Sequence, residues 1–226
     1  MSPDGCYMCG RPYTGREHVP PKSFFPKGCG LQLKTVPSCA EHNNAKSDDD
    51  QYLLAHISMH AASENTIAKQ RFMRSIEPHL HRSPGFHRLL RDGSIPLPGG
   101  ARKYKVDTRR FDNFFDHLAC AIYFDRYGTP LNRATHRVQH VYLSLLDEDP
   151  EEQARRKFLV MSLGHFYEDF QSMISSYDPG RVNDESIYAN KVIDPAGPQG
   201  STTIAHTFYG VFDVVSLLTR FYQQDA

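Results

Sequence analysis

The sequence predicts an α+β protein in which a small, irregular N-terminal unit precedes a mostly α-helical domain. The first fifty residues are rich in Cys, Gly and Pro and have little helical periodicity. Beyond them, apolar residues recur at three- and four-residue spacing, the pattern of amphipathic helices packed on a core. The length of 226 residues accommodates one or two domains, and we expect a division into 1–50 and 51–226.

The composition, with 39% hydrophobic and 23% charged residues, is that of an ordinary globular protein. No stretch approaches the roughly 18–20 consecutive apolar residues of a membrane-spanning helix, and the N-terminus lacks the apolar core of a signal peptide. These features argue against a membrane protein and against a secreted one. We therefore expect a cytoplasmic location and no membrane partner.

Two Cys/His pairs in the N-terminal unit predict a zinc site. Cys6 and Cys9 form one pair and Cys39 and His42 the other, each with two residues between the ligands. Two such knuckles are the arrangement through which a chain holds tetrahedral zinc. Because all four positions are filled by protein, this Zn²⁺ is expected to be structural. The alternative is buried free thiols with His42 on a helix surface.

The helical elements follow from the apolar pattern. A helix is expected to begin near Ser38, acting as N-cap, and to run through AEHNNAKSDDDQYLLAHISMHAA. The clearest amphipathic stripe occupies 107–127, and a similar one occupies 151–175. A Pro/Gly-rich centre separates two apolar runs in the segment 186–218. Two interpretations of these runs stay open: two strands, or a strand followed by a helix.

The chain is formally neutral, but its charges are unevenly distributed. Residues 51–110 hold 11 basic and four acidic side chains, whereas residues 111–226 hold 9 basic and 16 acidic ones. This asymmetry indicates a face that attracts a polyanion, or two oppositely charged segments that pack together. Basic residues in the first of these segments, such as Arg71 and Arg74, are candidates to grip a nucleic-acid backbone.

The residues around the knuckles resemble the HNH endonuclease family. Between the knuckles lies the run REHVPPKSFF (16–25), and after the second knuckle comes NNAKSD (43–48). Paired knuckles that enclose a Glu-His dipeptide and a Pro, followed by Asn and Lys three residues apart, are similar to that family over about the first fifty residues. The resemblance implies a zinc-braced ββα-metal fold and metal-dependent hydrolysis of DNA phosphodiester bonds.

The resemblance also implies a role for each matched residue. His18 would activate water, a task that suits a side chain titrating near neutral pH. Glu17 and Asn43 would hold a catalytic divalent metal, Mg²⁺ or Mn²⁺, which prefers oxygen ligands. Lys46 would contact the phosphate or stabilise the transition state, and Lys22 is a further candidate phosphate contact.

One position departs from the family pattern. The middle Asn of the signature, which orients the catalytic His, should lie about five residues before the second knuckle. Lys34 stands there, or Thr35 if the loop shifts, and no Asn occurs between Cys9 and Asn43. Three alternatives follow: another group orients His18, a backbone carbonyl orients it, or the activity is weakened.

Two alternatives stay open beside a DNA endonuclease. The first is a non-catalytic zinc-stapled module that binds nucleic acid or protein, and the second is an RNase that uses the same site. Residues 51–226 would then grip nucleic acid, form a homodimer or bind a regulatory partner. The layout is similar to that of compact bacterial HNH proteins, some of which defend the cell against foreign DNA.

Two further patterns have ordinary interpretations. His56 and His60 share one helical face, but no third ligand accompanies them, so surface or interface histidines are expected. The run 48–50 of three aspartates is typical of a solvated helix face.

Overall fold

The computed structural model describes residues 5–28, 31–44, 47–100, 102–146, 149–162 and 186–221. Its helices are α1 (Ala40–Asn44), α2 (Ser47–Ala61), α3 (Thr66–Arg71), α4 (Glu77–Arg82), α5 (Pro84–Arg91), α6 (Thr108–Tyr127) and α7 (Pro150–Ser162). Its strands are β1 (Gly15–His18), β2 (Thr35–Ser38), β3 (Ile95–Pro96), β4 (Arg102–Lys103), β5 (His136–Tyr142), β6 (Tyr188–Ile193), β7 (Thr202–Phe208) and β8 (Phe212–Arg220). A π-helical turn, Phe72–Ile76, joins α3 to α4.

The N-terminal unit is an antiparallel hairpin followed at once by a helix. Strand β1 pairs with β2 so that Glu17 lies opposite Val36 and His18 lies opposite Thr35. Helix α1 begins at Ala40, two residues later than the Ser38 N-cap that the sequence predicted, because Ser38 is the last residue of β2. The α+β class is therefore confirmed.

Helix α6 is the centre of the hydrophobic core. The amphipathic stripe predicted for 107–127 is confirmed as a 20-residue helix, and Asp107 caps its first turn by accepting a hydrogen bond from the Arg109 amide. Gly128, with φ of 71°, closes the helix in the left-handed conformation that favours glycine. Core residues from Cys6 to Leu218 form one continuous cluster around α6.

The prediction of a mostly helical second domain is wrong. Residues 136–220 contain a four-stranded antiparallel sheet with the strand order β5-β8-β7-β6. One of its faces packs on α6 through Phe208, Phe212 and Val214. Strand β5 was missed because its sequence, HRVQHVY, is largely polar and gives a weak apolar alternation. In 186–218 the structure has three strands rather than a strand and a helix.

Two other predictions can be compared with the described residues only in part. The helix predicted for 151–175 is present as α7, and residues 163–185 lie outside the described part of the chain. Helix α2 crosses the predicted domain boundary at residue 50, and the division itself stays a prediction. Within the described residues, every helix is too short or too polar to cross a lipid bilayer.

Candidate metal centre and basic cavity

The four predicted zinc ligands lie together in space. Their ligand atoms are all within 4.8 Å of one another. The Cys9 and Cys39 sulfurs are 3.9 Å apart, and His42 Nδ1 lies 3.1 Å from Cys39 Sγ and 3.6 Å from Cys6 Sγ. A tetrahedral zinc ion with Zn–S bonds of about 2.3 Å requires sulfur–sulfur separations of about 3.8 Å. The Cys₃His cluster therefore fits a structural zinc ion in both donor chemistry and spacing.

Local backbone structure brings the first two ligands together. A tight turn follows Cys6, whose carbonyl accepts a 2.8 Å hydrogen bond from the Gly10 amide. Gly10 has φ of +71°, and a Cβ at Gly5 would lie 2.4 Å from the Gly10 carbonyl oxygen. Glycine at both positions therefore lets the chain turn back on itself around the cysteines.

The second pair of ligands is placed by the junction of β2 and α1. Cys39 follows β2 directly, and His42 lies in the first turn of α1. The Asn43 amide donates to the Cys39 carbonyl at 2.9 Å, so the helical turn holds the two ligands at their three-residue spacing.

Tyr7 connects the cluster to the core. Its hydroxyl donates to His117 Nδ1 of α6 at 2.7 Å, and its amide donates to the Pro37 carbonyl at 2.8 Å. Burial raises the pKa of the Tyr7 phenol well above its ordinary value, and the nearby carboxylates of Glu17 and Asp50 raise it further. Tyr7 is therefore a neutral hydrogen-bond donor that fixes the first knuckle on α6.

The Glu-His dipeptide occupies the end of β1. Side chains alternate between the two faces of a strand, so Glu17 lies on the face of Gly15 and His18 on the opposite face. Glu17 is buried, with 8% of its surface exposed. A Cβ at Gly15 would lie 3.8 Å from the Asn43 amide nitrogen. The Asn43 side-chain nitrogen thus lies near β1 at Gly15, two residues before Glu17.

His18 is held near its neutral form. Partial burial lowers the pKa of His18 below its ordinary value, and the charge of Lys22 lowers it further, while Glu17 acts in the opposite direction. A neutral imidazole at pH 7 has a free nitrogen lone pair, which a general base needs.

Glu17 lines a cavity of about 720 Å³ whose walls come from three separate segments. The second carboxylate on its surface is Asp50 of α2. The surrounding cationic and imidazole side chains are Lys22, Lys27, Arg71, Arg74, His79 and Arg82. The cavity is therefore mainly basic, with two carboxylates among its lining residues.

Three of the predicted nucleic-acid contacts meet in this cavity. Lys22, Arg71 and Arg74 all line it, although almost fifty residues separate the first from the second. Arg71 also donates to the Ser23 carbonyl, which ties α3 to the loop after β1. Lys46, the predicted phosphate contact after Asn43, lies outside the described residues.

The residues at the position of the missing middle Asn, Lys34 and Thr35, bind groups other than His18. Lys34 Nζ lies 2.7 Å from Asp125 Oδ2 of α6 and forms an ion pair with it. The Lys34 carbonyl accepts a 3.0 Å hydrogen bond from the Val19 amide, next to His18. The Thr35 hydroxyl accepts from Arg16 Nε at 2.8 Å. The side chains of Lys34 and Thr35 are thus committed to partners other than His18.

Sequence reasoning missed Asp50 as a lining residue. The solvated-face interpretation is wrong for Asp49, which binds Arg110 at 2.8 Å and Asn113 at 2.7 Å on α6. Asp50 instead lines the cavity beside Glu17.

The pair His56 and His60 is structural. His56 is buried against the ring of Tyr52, with 4.4 Å between the ring centres, and His60 packs edge-on against Phe212. Burial lowers the pKa of His56 to about 4. These contacts explain the two imidazoles without a metal ion.

Comparison with known proteins assigns no family to the chain. The chain matches no family model, no curated protein and no solved structure. The resemblance to HNH endonucleases therefore depends on the motif residues themselves and on their surroundings in the structure.

Proposed function

We propose that the protein is a metal-dependent endonuclease that hydrolyses DNA phosphodiester bonds at the cavity lined by Glu17. The observation that carries the proposal is that cavity itself. It joins the acid of the Glu-His dipeptide to the basic residues Lys22 and Lys27 and to the distant Arg71, Arg74 and Arg82. Phosphodiester cleavage needs these components, because a proton must leave water while negative charge increases on the phosphate.

The lining residues suit a hard divalent cation. Glu17 and Asp50 offer carboxylate oxygens on one cavity surface, whereas Asn43 is not among the lining residues. Oxygen ligands of this kind are those that Mg²⁺ and Mn²⁺ prefer. When bound, such an ion would supply charge neutralisation at the phosphate oxygens. We therefore propose Asp50 as a ligand beside the predicted Glu17.

His18 is proposed to take the proton from the attacking water at an imidazole nitrogen. The lowered pKa keeps this nitrogen unprotonated at neutral pH. Lys22 lies close enough to shift that pKa and also lines the cavity. Lys22 is therefore proposed to hold a phosphate oxygen, whereas His18 lies on the face of β1 opposite Glu17 and is not among the residues that line the cavity. The structural zinc ion takes no part in this step, because its four protein ligands leave no open position.

The direct test is cleavage of supercoiled plasmid by the purified protein in Mg²⁺, in Mn²⁺ and in EDTA. His18→Ala should abolish nicking and linearisation while leaving the zinc content and melting temperature unchanged. His87→Ala, a matched substitution in α5 away from this cavity, should cleave like the parent protein. Equal cleavage by parent and His18→Ala would remove His18 as the base.

The Lys34 ion pair favours one competing function. Because the residue at the middle-Asn position binds Asp125, the same fold would suit a zinc-stapled module that binds nucleic acid without cutting it. Intact plasmid under every metal condition, together with retained binding, would support that alternative. Degradation of an RNA competitor in preference to the plasmid in the same assay would identify an RNase.

A further inference from the structure

We infer that the helical wall formed by residues 66–82 is a docking surface for duplex DNA, which it binds through the phosphate backbone. Arg74, His79 and Arg82 are the proposed contacts, and Arg71 is a positioning residue that holds the wall in place. The inference rests on the proposed function, because it names the surface that would deliver the substrate to Glu17. It adds His79 and Arg82, which the sequence did not single out.

The wall presents one continuous face to the cavity. Helix α3, the π-helical turn and α4 follow one another without a break from Thr66 to Arg82. The residues that line the cavity recur along this segment at three- and four-residue spacing, the repeat of a single helical face. They include Ile67, Arg71, Ser75, His79 and Arg82.

The length of this face suits several phosphates. At about 1.5 Å per residue, Arg74 and Arg82 are separated by roughly 12 Å along the helix. One DNA strand carries one phosphate per about 3.4 Å of duplex axis, so the rise between the two arginine Cα positions corresponds to about three base-pair steps along that axis. Both arginines are exposed, whereas Glu17, which lines the same cavity, is buried. A backbone docked on the wall would therefore lie beside the cavity that contains Glu17.

The first third of the wall is anchored at two points. At its start, the Asn65 side chain accepts hydrogen bonds from the Ile67 and Ala68 amides and donates to the Tyr209 carbonyl at 2.9 Å. Arg71, at the end of α3, donates to the Ser23 carbonyl in the loop after β1. These contacts fix α3 relative to both the sheet and the hairpin, and the helical segment continues from there to Arg82.

The lining favours the backbone over the bases. Among the described residues that line the cavity there is no Phe, Tyr or Trp. Proteins that bind single strands stack bases on such aromatic side chains. Cationic side chains without stacking partners bind phosphates through counterion release and do not read sequence. The surface therefore fits a duplex, whose bases are already stacked, and fits unrelated sequences equally.

The experiment uses the full-length protein with His18→Ala, so that binding is measured without cleavage. Fluorescence anisotropy would give the dissociation constant for two unrelated 20-base-pair duplexes and for one of their single strands, over a series of salt concentrations. Arg74→Gln and Arg82→Gln would each be added to this background. Arg88→Gln and Arg91→Gln are matched controls, because both arginines are exposed on α5 and do not line the cavity.

We expect Arg74→Gln and Arg82→Gln each to weaken binding of both duplexes equally and to reduce the slope of log K against log salt by about 0.9. The control variants should keep the parent slope, and the single strand should bind more weakly than the duplex. Equal slopes in all four variants, or tighter binding of the single strand, would overturn the inference. Cleavage is measured separately with the parent protein, which retains His18. Binding as expected without any cleavage would reject the nuclease and keep the docking surface.

Discussion

The N-terminal hairpin region and the C-terminal sheet are stabilised in different ways. In the hairpin region, four ligand side chains converge within 4.8 Å, and β1 and β2 have only four residues each. In the sheet, strands of six to nine residues pack on α6 through large apolar side chains such as Phe208 and Phe212. Both regions contribute to one apolar core, to which the hairpin region adds Tyr7, Phe24 and Val36, but only the hairpin region also carries a cluster of four metal-ligand side chains.

This difference explains where the candidate site lies. Four ligand side chains can hold the short hairpin in place, which leaves charged side chains such as Glu17 and Lys22 available at a cavity. The sheet instead packs on the core, where buried polar side chains such as His206 and Ser216 hydrogen-bond to each other. The two regions should therefore fail under different conditions: the first when the metal is removed, and the second in acid.

The largest expected effect is loss of the metal cluster. Cys39→Ser removes one of the four ligands, and structural zinc contributes about 10–16 kcal/mol of apparent binding energy in small units of this kind. We expect the variant to lose zinc, measured by atomic emission on the dialysed protein, and to unfold locally around β1 and β2.

Cys120→Ser is the control for this substitution. Cys120 is buried in α6 and is not part of the Cys₃His cluster. The variant should melt at a lower temperature but keep one zinc ion per chain. A full zinc content in Cys39→Ser would refute the ligand assignment.

A smaller effect, confined to the sheet, is expected in acid. His206 is fully buried, and desolvation together with the charge of His140 lowers its pKa to about 3. His206 Nδ1 hydrogen-bonds with the Tyr188 hydroxyl at 2.8 Å, and Nε2 hydrogen-bonds with Ser216 Oγ at 2.9 Å, so both ring nitrogens have partners within the sheet. Because the folded pKa lies below the unfolded value, this stability is present above about pH 6.5 and is lost as the pH falls towards 3.

Urea unfolding at pH 7 and at pH 4.5 would measure this loss. Each pH unit below the unfolded pKa of about 6.5 costs about 1.4 kcal/mol, so His206 should account for a loss of roughly 2–3 kcal/mol between the two conditions. His206→Gln should be less stable at pH 7 but should lose less on acidification. Identical pH dependence in the parent and in the variant would contradict the role of His206.

Much of the candidate site was predictable from the sequence, because its signals are local. The spacing of Cys6 and Cys9, and of Cys39 and His42, identified the cluster that the structure brings together. The stripe of α6 was equally clear, since helical periodicity depends on near neighbours in the chain.

The remaining features depend on contacts distant in sequence. The sheet was missed because β5 pairs with β8, some eighty residues away, and its outward positions are polar. Asp49 and Asp50 look alike in sequence, but Arg110 and Asn113 bind the first while the second lines the cavity. Only the packing of α2 on α6 separates their roles.

The most direct test of hydrolysis at this cavity is the rate of plasmid nicking as a function of Mg²⁺ concentration for the parent protein and for Glu17→Gln. Glu64→Gln serves as the control, since Glu64 is exposed and lies outside the cavity. The proposed mechanism predicts that Glu17→Gln nicks at least tenfold more slowly, partly recovers at high Mg²⁺ and keeps its zinc. Nicking by Glu17→Gln at the rate of Glu64→Gln, at every Mg²⁺ concentration, would contradict it.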